Sequence, residues 1–145
     1  MKFIIQTIAL AAVVGIASVP AVHAQTGWHR ASVTVPFSFD CGKTHLAHGQ
    51  YVLSVDGNVL TIRGTASATT VLALSSYNPT ATEALRVVFK KYGDRYFLEE
   101  VRGAMNELTV NETSDEKRAA REFATRGMRP ETLALALVPQ GPLGN

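Results

Sequence analysis

LRVVFKKYGDRYFLEEVR, residues 85–102, reads as two β-strands folded back on each other at Gly93-Asp94. β-Branched and aromatic residues flank the turn, and Gly at its first central position suits a tight type II′ hairpin. Pairing Tyr92 with Arg95 sets the register: Lys91 faces Tyr96, Phe89 faces Leu98 and Val87 faces Glu100. One face then carries Leu85, Val87, Phe89, Tyr96 and Leu98, enough apolar surface to lie on a core. The other mixes Val88, Phe97 and Val101 with Arg86, Lys90, Arg95 and Glu99, which predicts a half-covered face.

Working outward, Ala31–Phe39 alternates with Val33, Val35, Phe37 and Phe39 on one side and Ser32, Thr34, Pro36 and Ser38 on the other. Pro36 cannot donate to a ladder, which predicts an edge strand or a bulge there, and on an edge it would guard against aggregation. Asp40–Gly49 reads as a loop. Gln50–Val55 and Asn58–Arg63 flank Asp56-Gly57, a strong hairpin signal. Pairing Val55 with Asn58 puts Tyr51, Leu53, Leu60 and Ile62 on one face, and Gln50, Val52, Ser54, Val59, Thr61 and Arg63 on the other. A strand over Thr69–Ser75 follows, then a break at Asn78-Pro79.

Beyond Arg102 come a turn over Gly103–Asn106 and a short strand at Leu108–Val110. Thr113-Ser-Asp-Glu116 is a capping box opening a helix that runs to about Arg126 and ends at Gly127. Its apolar content is thin, so it is expected to lean on the sheet through Phe123. Thr132–Val138 is a last strand or a weak helix, and residues 139–145 are a Gly/Pro tail with no reason to be ordered. The pattern is mainly all-β: a single antiparallel β-sandwich or small barrel over residues 31–138, with one peripheral C-terminal helix at about 113–126.

The N-terminus reads as a leader. Lys2 precedes an uncharged apolar run, Phe3–Val19; Pro20 breaks it, and Val22-His23-Ala24 suits signal peptidase. Residues 1–24 are therefore expected to be a signal peptide, and residues 25–30 a lead segment containing Trp28 and His29. An uncleaved anchor is the rival, since about 17 apolar residues lie near the lower limit for a span. The polar Gln25-Thr26-Gly27 and the lack of flanking charge favour cleavage, hence export to the periplasm or medium with no membrane span left. Removing Lys2 leaves 13 basic against 12 acidic side chains. Such a balance, without a basic cluster, gives no footprint for nucleic acid.

Three pieces, VTVPFSF at 33–39, the turn KTHLAHGQY at 43–51, and the hairpin at 85–101, resemble a group of small exported bacterial proteins of uncharacterised function. Here the turn carries an inserted His45, and His48 stands just before Gly49. The resemblance implies a β-rich exported domain and supplies no activity.

Cys41 is the only cysteine, so no intrachain disulfide forms. It is a small residue in a turn, a free thiol, or the link of a dimer. Cys41, His45 and His48 form the one constellation with metal-ligand chemistry, suited to copper or zinc. Their spacing matches no closed zinc site, and no other cofactor is implied. The catalytic signatures G-x-S-x-G, H-E-x-x-H and G-x-x-x-x-G-K-[ST] are absent from the sequence. Glu99 and Glu100 are adjacent on a strand, so they are expected on opposite faces. An outer-membrane barrel would need strands of about 9–11 residues, longer than most here. The expectation is a non-catalytic binding or interaction module for an envelope protein or small ligand. Trp28, Tyr92, Arg95 and Tyr96 are its candidate interaction surface, because aromatic and Arg side chains dominate hot spots. The bland reading is that Tyr96 is core and Tyr92 covers the hairpin end.

Overall fold

In a computed structural model of the chain the described residues are 28–77, 84–103 and 106–141. The expected leader, the Asn78-Pro79 break and the last four residues lie outside them. No helix among the described residues is long and apolar enough to cross a membrane.

The central hairpin is β7 (Arg86–Tyr92) with β8 (Arg95–Arg102). Tyr92 pairs Arg95, Lys91 pairs Tyr96 and Phe89 pairs Leu98, as the sequence predicts. Gly93 has φ +62° and Asp94 is not in the left-handed region, the signature of a II′ turn. Beyond Leu98 the expected register fails. Glu99 is an extra residue, so Val88 faces Glu100 and Val87 faces Val101 rather than Glu100. This β-bulge returns Val101 to the core beside Val87. It also places Glu99 and Glu100 on the same outer face, where strand alternation alone would have separated them. Glu100 is buried and paired with Arg102, and burial raises its carboxyl above the usual range.

The first half of the sheet is built from β1 (Arg30–Val35), β4 (Gly49–Asp56), β5 (Val59–Arg63) and the start of β6 (Ala68–Tyr77). Its inward side chains are the expected ones, Val33, Val35, Tyr51, Leu53, Leu60 and Ile62. The β4–β5 turn sits at Gly57-Asn58, one residue later than predicted, with Asp56 facing Val59. Moving a turn by one residue moves the register by two, so both faces survive the error. β1 includes Arg30, which the sequence left in the lead segment, and ends at Val35. Pro36 terminates β1 at the end where β4 is its only ladder partner, because β11 pairs just Ala31 and Ser32.

The expected loop at 40–49 is instead a small hairpin, β2 (Phe39–Cys41) with β3 (Thr44–Leu46), turning at Gly42. β2 bridges β8 at Asp40–Phe97, a parallel pairing where the other ladders among the described residues are antiparallel. The second half continues through β9 (Asn106–Val110), which pairs the far end of β6. The order is β10-β7-β8-β9-β6-β5-β4-β1-β11, one mixed sheet that is not closed.

Its two ends are covered by one segment. β10 (Glu131–Ala136) pairs β7, and β11 (Val138–Pro139) pairs β1, with the buried Leu137 between them. Thr132–Val138 is thus strand, not helix. The expected tail is anchored at its start, since Pro139 faces Ala31 and the Gln140 amide donates to the Arg30 carbonyl at 2.9 Å. Residues from both halves share one core, where Phe39 and Phe89 meet edge to face at 5.2 Å. A void bounded by Phe39, Tyr51, Phe89 and Leu98 measures only about 10 Å³. That is about one water, so side chains fill this part of the interior.

The helix α1 spans Ser114–Thr125. The Thr113 hydroxyl accepts from the Glu116 amide at 3.2 Å, and Gly127 at φ +71° closes the C-terminus. The Gly127 amide donates to Ala124 and the Met128 amide to Phe123, a Schellman end. α1 lies on the outer face of the central hairpin, burying Tyr92 and Phe97 with Ala119 and Phe123.

Candidate functional site

The structure spends most of the side chains singled out in the sequence on the fold. Tyr92 is buried under α1, its ring edge-on to Phe97 at 5.8 Å and Phe123 at 6.0 Å. Tyr96 stacks on Phe37 at 3.9 Å, facing the core. Arg95 lies 4.9 Å over the Phe97 ring and donates to Asp40 at 3.3 Å. Trp28 packs against Gly103 and the core, at the opposite end of the hairpin from the turn. A Cβ on Gly103 would come within 2.7 Å of the indole, which is why glycine suits that position. These four residues do not form one surface.

The Cys41–His48 set separates for a reason of strand parity. Asp40 and His45 face each other on one side of the β2–β3 hairpin, whereas Cys41 turns into the core with 0% exposure. Burial pushes its thiol up to about 12, so it is held protonated and out of reach of a partner's thiol. His45 and His48 are exposed, and His45 Nδ1 lies 2.6 Å from the Asp40 carboxylate. Among the described residues no group of three His, Cys, Asp or Glu side chains is placed to hold a metal ion.

A titratable cluster lies under α1. Lys90 pairs with Glu99 at 2.9 Å and Glu112 at 3.8 Å. Glu116 beside them is buried, 5% exposed. Burial first, then the Glu112 charge, pushes its carboxyl up to about 7 against the pull of Lys90. This cluster docks the helix onto the hairpin.

A pocket lies on another face, the outer face of the first half, and measures about 330 Å³. Gln50, Val52 and Ser54 of β4 lie between Arg30 on β1 and Arg63, Gly64 and Thr65 at the end of β5. Register explains the convergence: Arg30 faces Ser54, Arg63 faces Val52, and all point away from the core. Gly64 permits the close turn, since a Cβ there would come 2.7 Å from the Tyr51 ring. Farther along the same face Thr61 and Thr70 share a hydrogen bond at 3.3 Å. No carboxylate lines the pocket, and neither Arg30 nor Arg63 makes an ion pair among the described residues. Alternation placed Gln50, Val52, Ser54 and Arg63 on this face. What it could not supply was Arg30 as a strand residue, or the concavity.

No protein-family model, no curated protein and no solved structure matches this chain.

Proposed function

We propose that this chain is an exported, non-catalytic binding module of the cell envelope, and that the outer face of β1, β4 and β5 is its ligand surface. The pocket between Arg30 and Arg63 carries the reading. It is concave and of small-molecule size, and apart from Val52 its lining is polar, so a ligand there would be held by the two arginines and the Gln50, Ser54 and Thr65 side chains. Export rests on the leader-like residues 1–24. The copper or zinc alternative loses its donor set, because Cys41 faces the core while the histidines face solvent.

Native mass spectrometry of protein expressed with its own leader and taken from the periplasm tests both parts. The expected mass is that of a chain beginning at Gln25, with a non-covalent adduct that Val52→Trp, filling the pocket, no longer retains. A chain beginning at Met1, or an adduct that Val52→Trp keeps, contradicts the proposal.

A further inference from the structure

We propose that the pocket takes a ligand through a tetrahedral oxyanion, a phosphate or sulfate group held between Arg30 and Arg63; this rests on the pocket being the ligand surface. The two arginines sit on either side of β4 and one cross-strand row apart. Strand spacing and rise put their Cα atoms about 12 Å apart, a gap that two inward-reaching arginine side chains close around one group. Both are without a carboxylate partner among the described residues. The nearest acid on the face, Asp56, lies two residues beyond Ser54 opposite Val59 and does not line the pocket. Two like charges sharing a face repel, and an anion between them converts that repulsion into attraction.

Geometry narrows the anion. A carboxylate presents its lone pairs in one plane, so two guanidinium forks share it only by lying close to that plane. A tetrahedral group presents oxygens on more than one side and accepts from forks that reach it from either side of β4. A phosphate ester also brings close to two negative charges, matching the two arginines. Ser54 and Thr65 are the hydroxyl donors lining the same pocket, and the Gln50 amide can serve the remainder of the ligand.

Calorimetry of the exported chain at low salt tests this with inorganic phosphate, glycerol 3-phosphate, acetate and glucose as probes. Saturable binding of a phosphate-bearing probe is expected, with acetate at least about tenfold weaker. Arg30→Gln and Arg63→Gln should each weaken it about tenfold or more while leaving the melting curve unchanged. Tighter binding of the ester points to an esterified source, and tighter binding of inorganic phosphate to the free ion. If acetate binds as well as phosphate, or if glucose saturates the pocket and phosphate does not, the oxyanion inference is overturned and the binding face stands. If phosphate binds equally to both arginine variants, it is bound elsewhere and the inference is likewise overturned. If none of the four probes binds, the oxyanion inference fails; the retained adduct of the native protein then decides separately whether the pocket binds anything.

Discussion

A chain ending at Pro130 is expected to lose its cooperative fold. Residues 131–139 cover both ends of the sheet, pairing β7 over six residues and β1 over two. They also supply Leu133, Leu135 and the buried Leu137 to the core. Losing three such side chains removes about 5 kcal/mol of burial, comparable to the whole stability of a small domain. The cut also bares the backbone edge of β7, which carries Val87, Val88 and Phe89, and so invites aggregation. Thermal unfolding followed by circular dichroism decides it, with a chain ending at Gly141 as control. A cooperative melt of the shorter chain within a few degrees of the control would show that the last segment is dispensable.

The second large effect is pH-dependent and belongs to Glu116. Its carboxyl titrates near 7 in the fold, because it is buried beside Glu112, and near 4.5 in the unfolded chain. The folded value is the higher, so the protonated acid favours the fold. That contribution is complete below about pH 4.5 and is lost as pH rises through 7. Ionisation then costs the fold about 2–3 kcal/mol, the shift from 4.5 to about 7 being reduced by solvent screening. Glu116→Gln mimics the protonated acid without titrating. It is expected to match the wild type at pH 4.5 and to be about 2 kcal/mol more stable at pH 8. Urea unfolding at the two pH values measures the difference. An equal difference at both would mean that Glu116 ionises freely under the helix.

Much of this architecture was legible because parity is robust. Asp56-Gly57 predicts the β4–β5 turn one residue before its place in the fold, yet Tyr51, Leu53, Leu60 and Ile62 still face the core, since a one-residue displacement of the turn moves the register by two. The helix was legible from local chemistry alone, as Thr113 and Gly127 satisfy its ends without help from the rest of the fold. The bulge at Glu99 is not given by alternation, which would turn Glu100 inward opposite Val87 and Val101 outward; packing of Val101 against the core selects the bulged register. The β2–β3 hairpin was hidden for a similar reason. Its strands are three residues long and owe their pairing to the gap beside the first half of β8.

The site was harder still. Aromatic and Arg side chains at a hairpin tip look like a recognition surface until a helix is laid over them, and helix docking is a long-range fact. Arg30 carried no signal, because its meaning depends on standing across β4 from Arg63. A single arginine at the start of a strand is ordinary; two around one apolar centre with no acid between them make a pocket.

The most direct test of the central claim is amide-by-amide NMR of the exported chain titrated with small phosphate-bearing, carboxylate-bearing and neutral probes. Saturable shifts are expected at Arg30, Ser54, Arg63 and Thr65, with Tyr92, Arg95 and Tyr96 unmoved. Shifts centred on the hairpin tip or on His45 and His48, with the β1–β4–β5 face silent, would contradict it.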